Sequence, residues 1–289
     1  MHPERRRRTA ELTDLARDGD WQAMYQRLTL NEFPYEARMG WQLAFLRPFA
    51  VPRMAQTLVD ARQLVDQPRK RAYDTGLIIY EIVYGGFESP RALEMVRLIN
   101  RSHHGRDIDD DDMTYVLCCF IVCPIRHIEL LGWRRLSEPE RDSAAQFFGR
   151  LGKLMNIVNL PATYAQAEAF FDSYEATQIE PSESARTLTA NLVRVLRDMQ
   201  PAVARPLATP VFTLLLNDAR VAHALGLRPP SKITRTALRV ALRCYGVAKR
   251  QLPPSDKVVF TPGKAVREMY PEGYELGDLG PRTVSSPPQ

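Results

Sequence analysis

The sequence predicts an all-α protein, a single large multi-helix domain with a short irregular C-terminal wrap. Apolar residues recur at steps of three and four along nearly the whole chain, which is the period of a helix with one buried face. Proline at first helical positions and capping boxes mark several helix starts. Strand signals are sparse, and residues 257–260 are the one short stretch that favours a strand.

The composition is that of an ordinary globular protein. At 289 residues, with 45% hydrophobic and 25% charged residues, the chain can bury a core without disulfide or metal support. Its net charge of +5 is concentrated at the start, where Glu4 and Arg5–Arg8 together contribute +3. We therefore expect a solvated basic tail over residues 1–8 and no nucleic-acid partner, since a dedicated binder carries its charge on a folded surface.

The first three helices are separated by turn residues and prolines. Thr9 can cap the first helix, and the turn Asn31-Glu32-Phe33-Pro34 precedes the second. Prolines 48 and 52 interrupt the chain before the third helix. The predicted helices run over residues 9–28, 35–46 and 54–65.

The fourth and fifth helices have clear start signals. Pro68 lies at the first position of the fourth, which ends at Gly85-Gly86, and Ser89-Pro90 opens the fifth. Steps of four, three and four place Arg71, Thr75, Ile78 and Ile82 on one face of the fourth helix. On the fifth helix, His103 continues the face that carries the following residues: Leu93, Val96 and Asn100.

The later helices begin with caps. The aspartates at 109–112 complement the dipole of an apolar helix over residues 113–123, and capping boxes open helices after Ser137 and Thr163. Further helices are expected over residues 184–199, 205–225 and 231–247. Because residues 284–289 are rich in serine and proline, we expect a disordered tail after an all-α domain that spans residues 9–283.

Cysteine placement and the length of the apolar runs bear on the compartment. Cys118, Cys119 and Cys123 lie in one apolar run, which is typical of reduced, buried thiols. No secretory signal is visible, and the longest apolar run, residues 116–123, is too short to span a bilayer. We expect a cytoplasmic protein without an integral membrane segment.

No standard catalytic motif is present, so the candidate site rests on histidines and on one cation. His103 should point inward, where it is either a hydrogen-bonded core residue or a metal ligand. Arg71 and Thr75 either pair with surface carboxylates such as Asp74, or reach into an apolar cavity as a ligand site. For His127 we expect a capping or salt-bridged role.

A series of motifs in a fixed order carries a family resemblance. The motifs are Asn31-Glu32-Phe33-Pro34, Lys70-Arg71 with Asp74-Thr75, Asn100-x-x-His103, Met113–Leu117, Gly132–Ser137 with Glu140, Gly152–Ile157, Leu160-Pro161, Tyr174-Glu175, Tyr270–Leu276 and Leu279-Gly280. With these motifs, the chain from about residue 20 to 281 resembles the oxygenases of the MpaB and latex-clearing-protein type, long known as domain of unknown function 2236.

The resemblance implies an all-α fold that encloses a haem b pocket. His103 matches the position of the proximal iron ligand, and His104 is the alternative if the register shifts by one. Arg71 and Thr75 match the distal pair, with roles in catalysis and cofactor binding. The implied reaction is the cleavage or oxygenation of a C=C bond in an apolar, isoprenoid-like substrate by dioxygen.

Two other functions stay open. One is a haem enzyme of the same family that performs dehydrogenation or peroxidase-type chemistry, and the other is a non-catalytic all-α binding protein. The chain also departs from the latex-clearing branch, which has a lysine where Asp74 stands and a glutamate upstream of the distal arginine. Residues 54–57 contain no carboxylate, so either Asp74 or Asp60 takes the place of that proposed base, or the chemistry differs.

Overall fold

The computed structural model describes residues 1–105, 108–198, 200–254, 258–266 and 269–280. Over these ranges the chain is helical and contains no β-strand, which confirms the predicted all-α class. The expected strand is absent at residues 258–260, because no strand within the described ranges lies beside them to pair with, and Phe260 instead stacks on Tyr80 of the helical core. Residue 257 lies outside the described ranges. The predicted tail over 284–289 also lies outside them.

The helices of the described ranges follow one another closely. They are α1 (Pro3–Asp18), α2 (Trp21–Arg27), α3 (Pro34–Leu46), α4 (Pro52–Asp60), α5 (Gln63–Asp66), α6 (Pro68–Gly85), α7 (Pro90–His103), α8 (Asp110–Leu131), α9 (Glu138–Leu154), α10 (Tyr164–Gln178), α11 (Glu183–Asp198), α12 (Arg205–Leu216), α13 (Ala219–Ala224) and α14 (Lys232–Gln251). A π-helix (Leu28–Glu32) and short 3₁₀ turns (Arg47–Ala50, Ala202–Ala204 and Leu276–Asp278) connect some of them.

The expected basic tail is wrong, because the first helix begins at Pro3 and contains the arginines. Arg5 and Arg8 are buried. The guanidinium of Arg5 lies 5.0 Å from the ring centre of Trp133 and 4.0 Å from the carboxylate of Glu32. Long arginine stems can cover apolar surface while their charged ends find a counter-ion. These arginines therefore pack α1 against the Asn31–Pro34 motif.

Three predicted helices are each two helices in the structure. The breaks fall at residues with left-handed backbone: Gly19 at φ 71°, Arg62 at φ 60° and Asn217 at φ 50°. A single left-handed residue ends a right-handed helix, and glycine and asparagine adopt that conformation most readily. Helical period alone does not show such a break, because the apolar face resumes in the next helix.

Helix α8 is the centre of the main apolar core and packs against α3, α9 and α10. It is longer than predicted and continues through Pro124. A Cβ on Gly40 of α3 would lie 2.2 Å from the Pro124 Cα, so the two helices cross in backbone contact. Among the described residues, α8 is the one helix long and apolar enough to cross a membrane, but 67% of its apolar stretch is buried within the fold, as in a core helix.

The C-terminal wrap is fixed to one face of α6. The Tyr270 hydroxyl donates to Asp74 at 2.6 Å, and the Tyr274 hydroxyl donates to Glu81 at 2.7 Å. Asp74 and Glu81 are seven residues apart, so they lie on one side of the helix. The wrap therefore covers one side of α6 and leaves another side for the interior.

Candidate active site

A cavity of about 550 Å³ lies where two apolar clusters of the fold meet. This volume lies within the range of small-molecule sites. Phe45 and Phe49 line it from the smaller cluster, and Ile78, Leu117 and Phe148 line it from the larger one. The walls are thus mainly apolar, with a few polar groups that reach them from α4, α6, α7 and α8.

Helix α6 contributes Arg71, Thr75 and Ile78 to the cavity wall. Their shared face follows from steps of four and three residues, as the sequence predicts. The fourth member of that predicted face, Ile82, is buried in the core instead. The sequence allowed Arg71 either to pair with a surface carboxylate such as Asp74 or to reach into a cavity. The structure supports the second interpretation, since Arg71 and Thr75 line the cavity and Asp74 pairs with Lys70.

The polar groups on α6 hold each other in place. Arg71 Nη1 donates a hydrogen bond to Thr75 Oγ1, and this hydroxyl donates in turn to the Arg71 carbonyl at 2.8 Å. The guanidinium also lies 5.8 Å from the ring centre of Phe45. A charged group held by a neighbouring hydroxyl and ring loses little freedom when a ligand binds beside it.

Helix α7 brings His103 to the same cavity. His103 Nδ1 lies 2.8 Å from the Ile99 carbonyl oxygen, which can only accept, so Nδ1 is the donor of this hydrogen bond. His104 is exposed and is not part of the cavity wall. Asn100 donates to the Leu154 carbonyl at 2.9 Å, which anchors α7 to the end of α9.

Asp74 lies outside the cavity wall, unlike the catalytic position we expected for it. Its buried carboxylate accepts hydrogen bonds from Lys70 at 2.5 Å, from Tyr270 at 2.6 Å and from the Gly280 amide at 2.9 Å. It lies between Arg71 and Thr75 in the sequence but points to the other side of α6, towards the wrap. Asp60, the other candidate base, is exposed and also lies outside the wall.

The sequence did not reveal a carboxylate that does line the cavity, Asp112 at the start of α8. Arg53 of α4 donates to both of its oxygens, with Nε 2.9 Å from Oδ2, and the Tyr174 hydroxyl donates to it as well. Hydrogen bonding to Asp112 raises the pKa of Arg53. Desolvation by burial raises the pKa of Tyr174, so its hydroxyl remains a donor.

The sequence feature that could have revealed this carboxylate is the position of Asp112 within the run of aspartates at 109–112. Asp109 is the helix cap, since its side chain accepts from the Asp111 amide at 3.0 Å. Asp112, three residues later, faces inward. A polar pocket of about 470 Å³ lies beside the group and shares Arg53 and Asp109 with the cavity wall. The Arg53–Asp112–Tyr174 group therefore stands between an apolar cavity and a polar one.

Two further sequence expectations concern α8. Cys118, Cys119 and Cys123 are buried free thiols, as predicted, and desolvation raises the pKa of Cys118 to about 12. The expected capping or salt-bridged role of His127 is wrong. Its ring is buried, and within the described ranges its Nε2 has no hydrogen-bond partner.

The fold is all-α and encloses an apolar cavity lined by an imidazole and an arginine–hydroxyl pair. These features are typical of a helical protein that binds a small molecule. Comparison with known families specifies this further. The chain belongs to the family described as the catalytic domain of the ER-bound oxygenases mpaB and mpaB' and of rubber oxygenase, which matches residues 37–248. This confirms the predicted family.

Two curated relatives from Penicillium brevicompactum are similar to the chain. The ER-bound oxygenase mpaB' is 28% identical over 219 residues, which is 69% of this chain and 51% of the relative. The ER-bound oxygenase mpaB is 30% identical over 185 residues, 56% of this chain and 47% of the relative. The chain thus spans about half the length of the curated relatives it matches. Their description as ER-bound does not fit the cytoplasmic location we expected.

Proposed function

We propose that the protein is a haem b-dependent oxygenase that cleaves or oxygenates a C=C bond of an apolar, isoprenoid-like substrate. Membership of an oxygenase family supports oxidative chemistry on a small molecule with dioxygen. The observation that carries the proposal is that His103, Arg71 and Thr75, from two different helices, line one apolar cavity. An apolar substrate needs no charged anchor, in keeping with the composition of the walls.

The donor chemistry of this cavity suits a haem. Groups of three or more His, Cys, Asp or Glu side chains that could hold a bare metal ion do not occur in the described part of the chain. A haem iron needs one axial ligand from the protein, and a neutral imidazole whose other nitrogen donates to a carbonyl is a common form of it. His103 Nδ1 makes a hydrogen bond of this kind to the Ile99 carbonyl. Bound haem supplies the iron at which dioxygen chemistry takes place.

Arg71 and Thr75 provide fixed polarity on the α6 side of the cavity. A cation in a water-poor site attracts developing negative charge more strongly than it does in water. The mutual hydrogen bonds orient both groups before any ligand arrives. The surrounding apolar side chains bind a hydrocarbon chain and keep bulk water out.

Haem titration of the purified protein tests the proposal. We expect a Soret band for the wild type and its loss in His103→Ala. His104→Ala is the matched control, because this neighbouring imidazole is exposed and should leave the band unchanged. Absence of a Soret band in the haem-supplemented wild type, or retention of it in His103→Ala, contradicts the proposal.

Activity assays separate the oxygenase from the other functions. With isotopically labelled dioxygen and an isoprenoid alkene, an oxygenase gives products that contain the label, whereas a dehydrogenase gives none. We expect Arg71→Met to retain the Soret band and to lower kcat by about 100-fold, the usual cost of removing one preorganised charge-stabilising donor. Unchanged kcat in this variant contradicts the role of Arg71.

A further inference from the structure

Helix α14 presents an apolar stripe to solvent. Ile233, Val240 and Val247 follow one another at seven-residue steps, so they lie on one face, and they are 83%, 55% and 67% exposed. Ala237 and Cys244, on the same face, are exposed as well. Isolated exposed apolar residues are ordinary, but a row along about four turns of one helix marks an interaction surface.

The contacts that hold α14 lie towards its C-terminal end. Lys249 Nζ donates to Glu36 of α3 at 2.6 Å, and the Leu252 carbonyl accepts from Arg5 of α1 at 3.0 Å. Gly246 packs against the carbonyls of Leu131 and Gly132. Among the side chains that the structure describes, these contacts hold the C-terminal end of the helix, and the residues of its apolar stripe are exposed.

The charge of this helix is entirely positive. Its sequence, KITRTALRVALRCYGVAKRQ, contains six lysines and arginines and no acidic residue. This exceeds the net charge of +5 of the whole chain, so the remaining residues together carry −1. Lys249 pairs with Glu36, and three further cations of the helix are exposed: Lys232, Arg235 and Arg250.

We propose that α14 is an interfacial helix that binds the surface of an anionic lipid bilayer, with Ile233, Val240 and Val247 inserted among the acyl chains. A helix with an apolar stripe and a cationic remainder binds membranes through buried apolar area and attraction to anionic headgroups. A second copy of the chain fits this face less well, since it brings another six positive charges. A nucleic acid leaves the apolar stripe without a partner.

This surface is separate from the cavity. The N-terminal end of α8 lines the cavity, α14 packs at its C-terminal end, and a helix of 22 residues is about 30 Å long. Changes on α14 therefore leave His103 and Arg71 in place. The inference does not rest on the proposed function, and a Soret measurement reports on that function independently.

Vesicle co-sedimentation of the full chain tests the proposal. We expect binding to vesicles of phosphatidylcholine with about one-third phosphatidylserine, weaker binding to phosphatidylcholine alone, and a decrease as salt is added. The variant with Ile233→Glu and Val247→Glu should bind at least about tenfold more weakly, because it removes apolar insertion and adds repulsion from the headgroups. Its thermal unfolding and its haem spectrum should match those of the wild type.

The matched control changes two other exposed apolar residues, with Val203→Glu and Leu207→Glu, and should retain vesicle binding. Absence of wild-type binding to the anionic vesicles overturns the proposal, as does an equal loss in both double variants. Sedimentation velocity supplies the remaining outcome. One result would show that this face joins two copies of the chain and that the lipid proposal is wrong. In that result the wild type self-associates, the α14 variant is monomeric, and vesicles bind neither protein.

Discussion

Replacing His127 with leucine should remove a loss of stability that the wild type undergoes in mild acid. The His127 ring is 5% exposed within the central helix α8. Desolvation by burial, together with the nearby charge of Arg47, lowers the pKa of His127 from 6.5 to about 4. The folded protein therefore keeps this ring neutral at a pH where the unfolded chain protonates it.

The sign and size of the effect follow from linkage between protonation and folding. The pKa of His127 is lower in the folded protein than in the unfolded chain, so the unfolded chain binds one more proton between these two pKa values. The free energy of unfolding therefore has its full value above pH 6.5 and decreases as the pH falls towards 4. Each pKa unit of difference corresponds to about 1.4 kcal/mol, so the full loss is roughly 3 kcal/mol. At neutral pH the leucine variant should be at least as stable as the wild type, since it removes a buried polar atom without a partner.

Urea unfolding at pH 7 and at pH 4.5 measures this difference. Between these two values the wild type should lose about 2–3 kcal/mol more than His127→Leu. His104→Leu is the control, because His104 is exposed, and it should follow the wild-type pH profile. The same pH profile for the wild type and His127→Leu would refute the reasoning.

Three other substitutions test the packing around the site. Gly40→Ala should lower the free energy of unfolding by about 1–3 kcal/mol in urea titrations, because its Cβ would meet the Pro124 backbone at 2.2 Å. Glu175→Ala should cost about 3–5 kcal/mol by the same assay, since it leaves the buried charge of Arg47 without the carboxylate 2.5 Å away. Asp74→Ala should speed proteolysis of the C-terminal wrap and cost about 1–3 kcal/mol, because it removes the bonds that fix the wrap to α6.

Each of these predictions has its own control. Gly149→Ala, also within a helix but with no atom within 4 Å of the added Cβ, should not destabilise the protein. Combining Glu175→Leu with Arg47→Met should cost much less than Glu175→Ala, because no unpaired charge stays buried. Asp60→Ala, on the exposed end of α4, should leave proteolysis of the wrap unchanged. Equal effects in a test variant and its control contradict the contact assigned to it.

The motifs that suggested the family acquire physical roles in the structure. Glu175 accepts from buried Arg47 at 2.5 Å and from Tyr115 at 2.9 Å, and Tyr174 binds Asp112 beside the cavity. These pairs join α10 to residues that are 60 or more positions earlier in the chain. Such partners have no local signature, because opposite charges far apart in sequence can pair in many ways.

The amino-acid sequence determined the helical class, most helix starts and the residues that share a face, because the helical period and capping chemistry are local. It placed Arg71 with Thr75 on α6 and His103 inward on α7, and both expectations agree with the cavity wall. The tertiary structure decided which face meets which neighbour. Asp74 turns to the wrap and Asp112 to the cavity, since the way helices pack sets the direction of each face, and that packing depends on contacts distant in sequence.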